Sequence, residues 1–179
     1  MSRIMDRFTR VADQHPGDVA LTQLILRLSL GGTMIAHGVR HARTLDGTAR
    51  WFESIGFRHP RLQARLSAAV EIAAGAAVAL GAATPVAGSA MVGTMAVAFH
   101  TVHRPNGYFV VAEGWEYVGF ISAAAVALSA LGPGTLSVDR VLGVDRLGTP
   151  LGRALVTAGL GVGGAAGQLA MFWSEPVKD

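Results

Sequence analysis

Apolar residues gather into five long runs, 20–39, 62–83, 85–102, 117–131 and 154–173, separated by breaks rich in Arg or in Pro and Gly. A helix needs about 20 mainly apolar residues to cross roughly 30 Å of hydrocarbon. The runs therefore predict an all-α, integral membrane helical bundle: a four-helix core followed by a fifth, C-terminal transmembrane helix. None of them alternates with period two, so barrel strands are not expected. A soluble bundle with Ala-rich core helices is the alternative, and the fifth run, which holds no charged residue, argues hardest against it.

The polar stretches complete the plan. Residues 1–19 form the first unit, in which Ile4, Met5, Phe8, Val11 and Ala12 alternate at helical spacing with Arg3, Arg7 and Arg10, the pattern of an amphipathic helix on a membrane surface. Residues 20–142 form the four-helix core, and 143–179 a linker and the extra helix. Trp51, Phe52, Ile55 and Phe57 suggest a second interfacial helix in the first loop. The GAATP turn at 81–85 makes the second and third core helices antiparallel neighbours. In the last run Gly159, Gly163 and Gly167 stand four apart, a ridge on which a partner helix, in this chain or another, approaches closely.

Charge and composition narrow the chemistry. The chain is 51% hydrophobic and only 15% charged, with net charge +3, and nearly all of its cations are Arg scattered beside apolar runs. That distribution suits anionic lipid headgroups and not nucleic acid. There is no Cys, so any redox role uses a bound cofactor or another subunit. The first run starts late, carries Arg27, and lacks a small-residue cleavage pattern, so it is expected to stay as a helix. Arg residues lie on both sides of the bundle, leaving the positive-inside rule nearly balanced, and we place the N-terminus in the cytoplasm.

Glu71 lies inside the second run, where an ionisable side chain is costly and is a functional hypothesis by default. Threading the helices back and forth brings His37, His41, Glu71, His100, His103, Glu113 and Glu116 towards one end of the bundle. His37 and His41 are four apart on one face, and His100 and His103 three apart. Three readings stand. In the first the cluster is interfacial and Glu71 is simply paired, with Arg27 or a His. In the second it lines a small-molecule pocket, such as a quinone headgroup site where His and Glu exchange protons. In the third His37, His100 or His103 and a carboxylate bind zinc, iron or copper, although no tight metal motif is present.

The run RLSLGG at 27–32, His37 with Gly38, Glu71 in its Ala/Gly-rich helix, HRPNGYF at 103–109, Glu116 with Tyr117, and LGPGTLSVD at 131–139 together resemble the DoxX family of small bacterial membrane proteins over about residues 20–142. The resemblance implies a four-helix membrane core in the bacterial inner membrane and a link with oxidoreductases, since members include the small subunit of a thiosulfate:quinone oxidoreductase. This chain departs from the family in its fifth run and in His41, where a Lys is more typical.

The resulting expectation is an accessory subunit of a membrane oxidoreductase assembly. A quinone or quinol would sit near His37, Glu71, His100, His103 and Tyr117, with Glu71, His100 and Glu116 moving protons. Partners are lipids, an oxidoreductase subunit and a second copy of the chain. The alternative is a purely structural subunit assembled through Gly159, Gly163 and Gly167. No inverted repeat points to a transporter.

Overall fold

The computed structural model describes residues 16–176, so the amphipathic helix expected over the first 18 residues lies almost wholly outside the described part. The five apolar runs become α1 (Pro16–Arg43), α3 (Pro60–Leu80), α4 (Thr84–Ala98), α5 (Glu116–Leu131) and α7 (Pro150–Phe172). The expected interfacial piece is α2 (Leu45–Ser54), and a short α6 (Val138–Val141) lies between α5 and α7. Among the described residues the sole strand-like feature is an antiparallel bridge between Phe57 and Trp173.

Four segments, Val19–Arg43, Pro60–Leu80, Thr84–Asn106 and Pro150–Phe172, are long and apolar enough to cross a membrane. The chain is a multi-pass helical membrane bundle. At 16 residues, α5 reaches only about 24 Å, less than the roughly 30 Å of hydrocarbon. The segment before it exposes Tyr108, Phe109 and Val111, apolar side chains that suit the membrane depth α5 does not cover.

Helices α1, α3, α4 and α5 pack in a ring in which α1 lies mainly on α3 and only lightly on α5, while α7 sits outside against α4 and α5. The α1–α3 contact is backbone on backbone. A Cβ on Gly75 would stand 2.7 Å from the Gly31 carbonyl oxygen, so this crossing excludes any side chain. Around it Leu30, Met34, Val78, Met91, Ile121 and Leu128 form the apolar core.

One end of the bundle is closed by a buried guanidinium. Arg27 donates from Nε to the carbonyls of Val78 and Ala79 (both 3.2 Å), from Nη2 to Ala79 (2.7 Å), and from Nη1 to Pro133 (2.8 Å) and Leu136 (2.6 Å). One side chain thus joins the end of α3, where the Val78 carbonyl also accepts from the Gly81 amide (3.0 Å), to the loop after α5, whose Pro133 and Leu136 carbonyls it satisfies. Gln23 adds bonds to the carbonyls of Leu131 and Gly132. The start of α4 is closed by Asp139, which accepts from the amides of Ala83 (2.6 Å) and Thr84 (3.0 Å) and from the Thr84 hydroxyl (2.8 Å). This is an N-cap supplied from 55 residues away, and its charge suits the positive helix end.

These bonds overturn one pairing suggested by the sequence. Arg27 does not reach Glu71, because its donors are taken up by carbonyls at the opposite end. Changing Arg27 to Lys keeps the charge, but a compact ammonium cannot span both segments. Each buried carbonyl it abandons costs about 1–3 kcal/mol. The expected result is a thermal unfolding midpoint in detergent lowered by roughly 5–10 °C, read by circular dichroism. An unchanged midpoint would show that the helix ends do not depend on the fork.

Candidate functional site

The other end of the bundle is hollow. A cavity of about 460 Å³ lies beneath α2, walled by α1, α3, α4, the start of α5 and the end of α7. Its lining is mostly apolar, including Met34, Trp51, Phe52, Val70, Met95 and Phe172, with a few polar groups set among them. That composition is characteristic of small-molecule sites.

Glu71 is the innermost charge on this wall. Gly38 sets its position: a Cβ there would stand 2.9 Å from the Glu71 Cβ and 2.9 Å from the Ala68 carbonyl, so α1 lies directly on α3. His37 and His41 lie on either side of that glycine in α1, and both line the cavity. Ser67, one turn earlier on α3, donates to Glu71 Oε1 at 2.6 Å. His41 Nδ1 stands 3.2 Å from the same oxygen. The nitrogen is outside hydrogen-bonding geometry, so the contact is an electrostatic one, attractive when His41 carries its proton. Glu71 Oε2 is buried and has no hydrogen-bond partner. A buried acceptor left open costs about 1–3 kcal/mol, and a donor entering the cavity would recover it. The His41 side chain is 25% exposed and that of Glu71 4%, so the pair runs from the interior towards the surface.

Tyr117 crosses the thin seam between α5 and α1. Its ring stacks on His37 at 6.1 Å between centroids, and its hydroxyl lies 3.5 Å from His37 Nε2. On the opposite wall Gln168 of α7 donates to Gln63 of α3 at 2.9 Å, an amide pair inside the bundle. His103 lines the cavity and places Nδ1 2.6 Å from the Glu113 carbonyl oxygen, which fixes the loop before α5.

Of the residues singled out in the sequence, His37, His41, Glu71, His103 and Tyr117 line this cavity and His100, Glu113 and Glu116 do not. His100 was expected on one helical face with His103. The chain instead makes a π turn over Phe99–His103, whose wider i to i+5 bonding separates the two side chains. His100 packs edge-on against Trp173, with ring centroids 5.0 Å apart. Glu116 turns away to accept from the Val110 amide at 3.0 Å. With the histidines dispersed in this way, no group of three or more His, Cys, Asp or Glu among the described residues is arranged to hold a metal ion.

The sequence reading placed His41 in the cluster without giving it a role, and it passed over Ser67, Gln63 and Gln168. A signal for the amides was present: Gln168 is the one polar, non-hydroxyl side chain in the run from 154 to 173. An amide in hydrocarbon seeks another polar group.

Residues 22–104 match the DoxX family model. That segment is a DoxX domain. No curated protein and no solved structure matches the chain. The DoxX segment carries α1 to α4 and the π turn, and with them His37, His41, Glu71 and His103. The rest of the wall, Tyr117, Val118, Gln168 and Phe172, comes from outside it.

The helix beyond the domain is tied into the site. The Arg58 amide donates to the Phe172 carbonyl (2.8 Å), the Ser174 amide to Gly56 (3.0 Å), and the Trp173 indole to Ile55 (2.7 Å). α7 is therefore part of the cavity wall as well as an added span. Substituting Gly38 with Ile should force α1 from α3, at about 1–3 kcal/mol for overpacking. The expected readout is a lost cross-link between cysteines introduced on the two helices at the Glu71 level. Full cross-linking would mean that the close approach is not required.

Proposed function

We propose that the chain is an accessory membrane subunit of an oxidoreductase assembly whose cavity takes a quinone or quinol headgroup. One observation carries this reading: Glu71 Oε2 is a buried, unpartnered acceptor on the wall of an apolar cavity of about 460 Å³. A hydroquinone hydroxyl is a donor of the required kind on a flat apolar ring. The apolar lining suits that ring, and Trp51, Leu66 and Val70, each exposed on the outer surface as well as lining the cavity, mark a side from which a lipid-soluble molecule enters. The DoxX family's association with oxidoreductases points the same way. In this reading Glu71 accepts a hydrogen bond from the quinol hydroxyl, and the partly exposed His41 beside it takes a proton onward to the surface. Tyr117 and His37 hold the ring edge at the seam. Electrons pass to or from the partner subunit, since the chain has no Cys to exchange a pair of them.

A second reading has its own support. A Cβ added at Gly159, Gly163 or Gly167 would meet none of the described residues within 4 Å, whereas Gly161 is the glycine pressed against α4. The ridge expected from the sequence faces outward, free for a helix of another subunit, and this purely structural role is compatible with the first.

Trp51 on the cavity wall provides the assay. Decylubiquinol added to the purified protein in detergent should quench its fluorescence, and Trp51→Phe should remove that component. Glu71→Gln should raise the half-saturating concentration about tenfold, equivalent to about 1.4 kcal/mol, with the unfolding midpoint preserved. Equal titrations for both proteins would remove Glu71 from the binding site. For the structural reading, Gly163→Ile should abolish co-purification of the partner subunit while leaving quinol quenching intact, and retained co-purification would exclude that face.

A further inference from the structure

A second hollow lies beside the cavity, outside the bundle. Helix α2 and the first turns of α3 enclose an open groove of about 760 Å³, lined by Asp46, Arg50 and Glu53 from α2 and His59, Arg61 and Arg65 from the α3 side. Asp46 and Arg50 are one turn apart on α2, and Arg61 and Arg65 one turn apart on α3, so each pair presents one helical face. The ion pairs among the described residues are His41 with Glu71 and Arg140 with Asp145. The three arginines and two carboxylates of the groove therefore face a common space with no oppositely charged group of the described residues within 4.0 Å of any of them. Opposite charges held apart in one groove call for a ligand that carries both.

Its location limits the ligand further. The membrane span of α3 begins at Pro60, so the groove stands at the hydrocarbon boundary. From its floor Leu62, Leu66 and Val70 descend α3 one turn at a time on one face, 48%, 48% and 40% exposed. A polar groove with both signs of charge above an apolar rail matches a phospholipid. The α2 helix, amphipathic and carrying Trp51 at the headgroup level, supplies the outer wall.

We propose that this groove binds an aminophospholipid with a phosphoethanolamine headgroup. The phosphate lies against Arg61 and Arg65, with Arg50 across from them, since guanidinium groups match phosphate oxygens with paired donors. The primary ammonium lies between Asp46 and Glu53. One acyl chain follows Leu62, Leu66 and Val70 into the bilayer. The headgroup groove is separate from the cavity, and the acyl chain on Leu66 and Val70 borders the side from which the cavity opens.

The test is native mass spectrometry of the full chain in mild detergent, incubated with equal amounts of phosphatidylethanolamine, phosphatidylglycerol and phosphatidylcholine of identical chains. Phosphatidylethanolamine should be retained about tenfold over the other two. Arg61→Gln with Arg65→Gln should erase that preference. Asp46→Asn with Glu53→Gln should transfer it to phosphatidylglycerol, because the groove is then purely cationic. Equal retention of all three lipids by the unaltered chain overturns the site, and a preference of that chain for phosphatidylglycerol overturns the role of the carboxylates. Free phosphoethanolamine displacing the lipid at equal concentration overturns the acyl rail. The comparison among lipids uses the unaltered protein, so the proposal stands or falls without the variants.

Discussion

Inside hydrocarbon every backbone carbonyl must find its donor within the protein, and in this bundle the guanidinium of Arg27 meets that demand for two chain segments at once. Its five bonds tie the end of α3 to the loop after α5. Asp139 sits in α6, directly after that loop, and caps α4. Three helix ends thus converge on one charged cluster whose members have little freedom left. The α1–α3 crossing follows from it, because Arg27 reaches the α3 carbonyls only if the two backbones touch, and Gly31 and Gly75 allow that contact.

The opposite end has the reverse character. Its carboxylate has one oxygen bonded to Ser67 and one without a protein partner, its histidine stands at ion-pair distance without a hydrogen bond, and both line a cavity. A bundle that used all its polar groups for stability would not leave an acceptor open at that depth. The rigid end holds the helices, so the hollow end is able to stay hollow. The motif residues that resemble DoxX divide along the same line. Arg27 and the 131–139 loop serve the closed end, whereas His37, Gly38, Glu71, His103 and Tyr117 serve the open one.

The fold was legible because hydrocarbon imposes a length and a composition, and all five apolar runs became helices close to their expected limits. Glu71 was legible for the same reason, as the one carboxylate far inside a run. Its partner was not. Arg27 and His41 both lie on α1, and only the register between α1 and α3, set by glycines whose contacts are three-dimensional, decides between them. The separation of His100 from His103 was also hidden, because a π turn leaves no periodicity over five residues. The Gln63–Gln168 bond joins residues 105 apart across helices with no other reason to be paired in a reading of the sequence.

The division of the cavity wall bears on what this particular chain recognises. The DoxX segment brings the carboxylate, the two histidines of α1 and the α2 roof. Tyr117 and Val118 on α5 and Gln168 and Phe172 on α7 close the far side and shape the space opposite Glu71. The end of α7 is held there by the bridge from Phe57 to Trp173 and by the indole bond to Ile55, both of which fasten it to the turn that leads from the roof into α3. Removing α7 would therefore open the wall and release the roof together. Glu71 and its α1 neighbours belong to the DoxX segment, and the shape of the cavity is set jointly with the helices that follow it.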